Sequence, residues 1–449
     1  MPCRQGEDLN RAIIWTVPFN RNASGIYMRK KVKHILSILI ISLLTISCQA
    51  AYLLLPMDET QNNHLKSYGI AYWSIEQGIE VEWLLNYRGG SFLIPFFDHV
   101  QKECKLRGIS SDIITDAKRL QILDEIAQPE INMEVIKLVK APKIAVYAPE
   151  GKQPWDDAVM LALKYAEIPY EQIYDGEIIE GKLVDFDWLH LHHEDFTGQY
   201  GKFYRAFHQM AWYQRQVQDN ENMARKYGFS KVSQMKLSVA ISIKNFVATG
   251  GFLFSMCSGA DSFDIALAAQ NTDICANMYD GDAIDPDLAS KLDFSQTLAF
   301  QNFSIIEDPF EYEYSTIDRP EDSRVLQNQD YFTLFEFSAK WDPVPTMLCQ
   351  NHTQIIKGFM GQTTAFIKTY LKPSVLVMGE NNNLNEARYI HGEFGKGTWT
   401  FYGGHDPEDY KHQVGDKPTD LELYPNSPGY RLILNNVLFP AAKKKKLKT

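Results

Sequence analysis

Gly250-Gly251-Phe252-Leu253-Phe254-Ser255-Met256-Cys257-Ser258-Gly259-Ala260 reads as a buried strand, a sharp turn and the start of a helix. The run from Phe252 to Met256 has the length and apolar character of a buried strand, and the small residues after it permit a tight reversal. Working outward, 236–249 and 203–225 carry helical spacing, and 185–193 (DFDWLHLHH) is strand-like. Further back, 170–174 and 143–147 (KIAVY) are strands separated by an amphipathic helix over 155–167. On the other side the rhythm breaks over 271–385, rich in Asp, Asn and Pro, which reads as an insertion of short strands and loops. It resumes at 388–392, and 398–402 (TWTFY) is a final strand leading into Gly403-Gly404-His405-Asp406-Pro407-Glu408. Strands alternating with helices of this length predict an α/β fold with a doubly wound parallel sheet, built from 141–270 and 386–440.

Residues 51–140 repeat the alternation on a smaller scale. Strands at 53–55 and 79–87 and helices at 62–77 and 96–106 give a βαβα order, which predicts a small α/β unit with parallel pairing. Asn86-Tyr87-Arg88-Gly89-Gly90-Ser91 closes the second strand, either as a plain tight turn or as a place where the backbone approaches a ligand.

The elbow suggests chemistry. A cysteine where a strand turns into a helix is exposed at the carboxyl end of the sheet, and the helix N-terminus favours its thiolate. Cys257 is thus the candidate nucleophile, with N–H groups around Ser258 and Gly259 as oxyanion donors. His405 follows a late strand, which a parallel sheet would bring to the same edge, and Asp406 or Glu408 could orient its ring. Glu408 is the preferred acid, since it lies beyond a proline-stiffened turn from which it can fold back. His193 and Glu194, at the end of a strand, would line the same edge on the substrate side.

Residues 248–267 and 395–408 resemble class I glutamine amidotransferase domains, in the branch that includes biotin-protein ligase N-terminal-like and ThuA-like proteins. Ser255-Met256-Cys257-Ser258-Gly259 is similar to the family's Gly-x-Cys-x-Gly elbow, with Ser255 in place of the first glycine. Gly395-Lys396-Gly397, before the strand that ends in His405-Asp406-Pro407-Glu408, resembles its closing motif, although the family's glutamate lies two residues beyond the histidine and Glu408 three. The resemblance implies a flavodoxin-like fold and amide hydrolysis, with Cys257 as nucleophile and His405 as base. The stretch 56–92 also makes the chain similar to exported bacterial proteins labelled asparagine synthetase B. Glutamine-dependent synthetases carry an ATP loop Ser-Gly-Gly-x-Asp-Ser, and Ser258-Gly259-Ala260-Asp261-Ser262 is one residue short of it.

Other side chains offer weaker chemistry. His190 and His192 share a strand face and, with Glu194 and Asp195, have ligand types suited to a metal; lining the active-site edge is the preferred role, and no metal is assigned. Asp280, Asp282, Asp285 and Asp287 lack the spacing of a calcium loop.

Composition sets the outer bounds. The 449 residues are 45% hydrophobic, enough for a sizeable core, and carry a formal charge of −11. Basic residues concentrate in 1–48 and in a tail at 441–449, so the body is more acidic than the total and nucleic acid is not expected as a partner. Residues 29–50 (RKKVKHILSILIISLLTISCQA) have the charged, apolar and small-residue regions of a secretory signal, Met28 is read as the start, and 1–27 as an extension. Export to the periplasm follows, either released or held in the outer membrane by a lipid on Cys48. Cys104, Cys257, Cys275 and Cys349 then remain, with one disulfide at most expected. The sequence therefore predicts an exported Cys–His hydrolase of an amide-type bond, needing no cofactor. The alternatives are a non-catalytic protein of the same fold that binds a sugar or peptide, and a glutamine-hydrolysing asparagine synthetase B.

Overall fold

The computed structural model describes residues 51–151, 157–320, 324–325, 329–349, 353–359, 361–409 and 414–442. The stretch read as a secretory signal, Cys3, Cys48 and the lysines from Lys443 to Lys448 lie outside them. Among the described residues no helix is long and apolar enough to cross a membrane.

Residues 51–138 form a five-stranded sheet of β1 (Ala51–Leu55), β2 (Val81–Leu85), β3 (Ser91–Pro95), β4 (Asp112–Thr115) and β5 (Glu134–Leu138). The order is β4-β1-β3-β2-β5 and every pair is antiparallel, which corrects the expected parallel pairing. The cause is the glycine pair. Arg88, Gly89 and Gly90 take φ of 43°, 77° and 88°, so the chain reverses at once and Ser91–Pro95 returns beside β2 as a strand of its own. The turn is filled from within the protein: a Cβ on Gly90 would lie 2.3 Å from the Cys349 sulfur, and Arg431 donates to the carbonyls of Met57 and Gly89.

The second sheet contains β6 (Ile144–Tyr147), β7 (Glu171–Ile173), β8 (Trp188–Leu191), β9 (Phe252–Met256), β10 (Tyr331–Leu334), β11 (Ile355–Lys357), β12 (Phe366–Ile367), β13 (Leu376–Asn381), β14 (Glu386–Phe394) and β15 (Gly397–Tyr402). Its order is β11-β10-β13-β14-β15-β9-β8-β6-β7, with β12 on β14. From β7 to β15 all neighbours are parallel, and from β15 to β11 all are antiparallel. Strand alternation decides which helices cover which face. Trp188, Phe252 and Phe254 share a core with the helices Ala158–Tyr165 and Pro428–Leu438 and with the inner face of the smaller sheet. Leu189, Leu191 and Leu253 point the other way, onto the helices Val232–Thr249 and Ser258–Ala268. The molecule is a mixed α/β protein whose parallel half-sheet is covered on both sides.

Residues 271–385 supply the strands β10, β11 and β13 that extend the sheet past β14. The single helix expected over 203–225 is two, Tyr204–Phe207 and Ala211–Lys226, preceded by positive φ at Tyr200, Gly201 and Lys202. All four cysteines among the described residues are free and buried.

Candidate functional site

Strand β9 ends at Met256, and Cys257 takes φ 52° and ψ −141° before the helix Ser258–Ala268 begins. A non-glycine residue in that region costs about 1–3 kcal/mol and persists only where its surroundings over-determine it. They do so here. The Cys257 N–H reaches the carbonyls of Tyr402 and Gly404, at 3.0 and 3.2 Å. The next turn is laced to the segment after β8: the Gly259 N–H donates to the His192 carbonyl at 2.8 Å, Ser258 Oγ to the His193 carbonyl at 3.1 Å and Ser262 Oγ to the Glu194 carbonyl at 3.1 Å. A Cβ on Gly259 would sit 2.1 Å from the His192 oxygen, so only glycine allows this approach. Gly259 is therefore a packing residue; its N–H is committed to His192 and does not serve as the expected oxyanion donor.

The thiol is 1% exposed and accepts the Gln362 N–H at 3.1 Å. Burial pushes its pKa up to about 11, against the lowering effect of the N–H groups of Thr363, Ser258 and Gln362. This reverses the expected thiolate: the helix N-terminus is present, but desolvation outweighs it. Gly361 lies directly over the thiol. A Cβ there would meet both the Cys257 sulfur and the His405 ring at 2.8 Å, which places sulfur and ring within twice that distance of one another. Parallel pairing of Tyr402 with Met256 puts both residues at one sheet edge.

His405 is buried and belongs to a cluster of imidazoles. Ring centroids are 4.7 Å apart for His192 and His405, 5.9 Å for His193 and His405, and 4.1 Å for His192 and His193. The two acids expected beside the base are engaged in the loop that follows it. Asp406 accepts the N–H groups of Glu408 and Asp409 and the hydroxyls of Thr419 and Tyr430. Glu408 accepts the Ser427 hydroxyl at 2.6 Å and lies 3.6 Å from Lys357 Nζ.

The acid brought to the histidines is one that sequence reasoning missed. Asp157 caps the helix Ala158–Tyr165 through a 2.9 Å bond from the Met160 N–H, and its carboxylate lies 3.3 Å from His190 Nε2 and 3.5 Å from His192 Nδ1. Burial works to raise its pKa, yet the two imidazoles hold it well below the ordinary carboxylate range. An Asp before an amphipathic helix signals a cap, but nothing local says that the cap faces β8.

Two cavities flank the cluster. One of about 480 Å³ is lined by Asp157, His192, His193 and Glu194, and burial raises the Glu194 pKa to about 7. The other, about 1130 Å³, is lined by His405, Gln362, Lys202, Arg205, Arg324 and Arg388 among others. Arg324 and Arg388 are paired with Glu313, Asp318, Asp330 and Glu386, whereas Lys202 Nζ donates to the carbonyls of Ile306 and Glu313. Burial lowers the Lys202 pKa from 10.5 to about 8. A depressed folded-state value means the stability contribution is present above 10.5 and lost as pH falls through about 8. Over that window the fold should gain about 3 kcal/mol from this group. Lys202→Met should flatten that rise, read as urea midpoints of both proteins across the window; parallel profiles would show that Lys202 titrates normally.

The acidic loop is tied down internally, since Lys231 pairs with Asp273, Asp280 and Asp282 and Lys291 with Asp285, although two lysines offset only half of the four carboxylates.

No family model matches this chain, and no curated protein matches it. Among solved structures, a cytoplasmic protein from Salmonella typhimurium is 9% identical with a TM-score of 0.33, over 67% of this chain and 100% of its own. A second cytoplasmic protein from Salmonella typhimurium LT2 is 13% identical with a TM-score of 0.32, over 67% and 100%. A beta-galactosidase from Bacillus circulans sp. alkalophilus is 11% identical with a TM-score of 0.25, over 60% of this chain and 29% of its own.

Proposed function

We propose that this chain is an exported Cys–His hydrolase acting on an amide-type bond, on a doubly wound, flavodoxin-like domain of the class I glutamine amidotransferase kind. The parallel strands run β7-β6-β8-β9-β15, the order 2-1-3-4-5 of such folds, which place their sites at the carboxyl edge. The observation that carries the activity is the strained elbow at Cys257, with its sulfur and the His405 ring against the same glycine.

In the reaction, His405 takes the thiol proton as sulfur adds to the carbonyl carbon. The N–H groups of Gln362 and Ser258, already directed at the sulfur, stabilise the oxyanion. Collapse of the adduct expels the amine, which leaves with the proton from His405, and water then hydrolyses the thioester. The His405-lined cavity, in which basic side chains slightly outnumber acidic ones, suits a small substrate bearing a carboxylate.

The alternative, a sugar- or peptide-binding protein without catalysis, is favoured by one observation: the thiol is buried and its pKa raised. Alkylation with iodoacetamide at neutral pH, followed by peptide mapping, separates the two. A hydrolase should lose its Cys257 thiol faster than Cys104 and Cys349, and His405→Ala should slow that loss at least about tenfold. Cys257 that reacts only after unfolding, in both proteins, would select the binding protein.

A further inference from the structure

We propose that Asp157, His190 and His192 form a binding site for a divalent transition-metal ion of the zinc type, open toward the cavity of about 480 Å³. The proposal goes beyond the hydrolase reading and does not rest on it.

Three observations converge on it. The first is the donor set: two imidazoles and one carboxylate, whose ligand atoms all lie within 4.8 Å of one another. That set suits zinc and its neighbours better than calcium or magnesium. The second is spacing. Donor atoms on a tetrahedral ion with bonds of about 2.0–2.1 Å stand roughly 3.3 Å apart. The two His–Asp157 separations, 3.3 and 3.5 Å, are close to that edge, and neither contact has hydrogen-bond geometry.

The third observation is what the buried nitrogens lack. His190 is fully buried and His192 is 2% exposed, and His190 Nε2 and both ring nitrogens of His192 have no hydrogen-bond partner. His190 Nδ1 is 3.1 Å from the Phe254 carbonyl, which can only accept, so the proton of the neutral ring belongs on Nδ1. Nε2 is then left without a hydrogen-bond partner, 3.3 Å from the Asp157 carboxylate, a separation that a shared cation would fill. A carbonyl contact of this kind fixes the tautomer of metal-binding histidines generally. A single dication between the rings, whose centroids are 5.7 Å apart, would satisfy both orphaned nitrogens and the carboxylate together.

The backbone holds the three ligands without help from an ion. His190 sits in β8, His192 follows it by two residues, and Asp157 is fixed as a helix cap beside the neighbouring β6. Asp157 and His192 also line the cavity, so the remaining coordination position is open to water or a small ligand.

The full chain, stripped of metal, is titrated with Zn2+ by equilibrium dialysis and with Co2+ by visible absorption. We expect saturable binding, Co2+ bands of a tetrahedral site and no thiolate charge-transfer band. Asp157→Asn and His192→Ala should each weaken binding at least about tenfold, while Cys257→Ser keeps the wild-type affinity. X-ray absorption of the zinc-loaded wild type needs no variant to fold, and should show imidazole neighbours and no sulfur. Absence of saturable binding overturns the proposal. So does sulfur in the coordination shell, which would point to Cys257 or to the cluster of Asp273, Cys275 and Asp280. Undiminished affinity in folded Asp157→Asn and His192→Ala would overturn it equally.

Discussion

Lys236→Met should destabilise the fold by about 3–5 kcal/mol, the range for removing one partner of a buried ion pair. Lys236 and Asp175 are 4% and 0% exposed and meet at 2.8 Å. The ammonium also donates to the Tyr147 hydroxyl at 2.9 Å and the Tyr174 hydroxyl at 3.0 Å. Methionine fills most of the volume but leaves the Asp175 carboxylate in the core with only the Tyr147 hydroxyl, 2.5 Å away, to stabilise its charge. The effect should reach the site, because Tyr174 donates to Glu194 at 3.3 Å, beside the histidine cluster. Urea denaturation of the wild type, Lys236→Met and the double variant Lys236→Met/Asp175→Asn measures the pair. The second substitution should restore a large part of the loss, since it removes the stranded charge. A single-variant loss under about 1 kcal/mol would show that the pair does not hold the helix Val232–Thr249 to the helix Asp175–Ile179.

How far the site is legible in the sequence depends on whether its geometry is local. The elbow at Cys257 and the strand before His405 are continuous apolar runs ending in small residues, and strand direction alone brings their ends to one edge. What periodicity omits is strand order and pairing partner. Asp157 and His190 are far apart in sequence and meet because β6 and β8 are neighbours. The same gap hides Lys202, whose burial comes from the segment holding Ile306 and Glu313. In the smaller sheet the misreading has one source. Ser91–Pro95 has the composition of a strand, but the glycine pair before it can be read as the end of a strand or as a hairpin turn. Only the antiparallel register decides between them. The thiol shows another limit. A helix N-terminus is visible in the sequence, whereas the cover provided by Gly361 and Gln362, more than a hundred residues away, is not.

That cover and the elbow must be held in register by the helix Ser258–Ala268, and one residue anchors it to the following segment. Asp264 is fully buried, and its carboxylate accepts three backbone N–H groups: Leu298 at 2.7 Å, Ala299 at 2.7 Å and Phe300 at 3.0 Å. These donors sit in irregular chain, so nothing else in the ladder of either sheet would take them up. Asp264→Ala would strand all three away from water. Each such loss costs about 1–3 kcal/mol, and with partial relaxation the total should be about 3–5 kcal/mol. Asp264→Asn keeps one acceptor oxygen, which can serve the pair of N–H groups now on Oδ2, but turns an amide NH2 toward Leu298 or forces it to rotate away. Its loss should therefore be smaller, about 1–3 kcal/mol. Because the helix begins at the strained Cys257, a loosened anchor should also uncover the thiol. Asp264→Ala should react with a thiol reagent faster at Cys257 than the wild type does, in buffer where both remain folded. Equal stability of Asp264→Ala and the wild type would mean that the three N–H groups find other acceptors. A large stability loss with no change at the thiol would separate the anchor from the elbow, leaving Cys257 positioned by its own bonds to Tyr402 and Gly404.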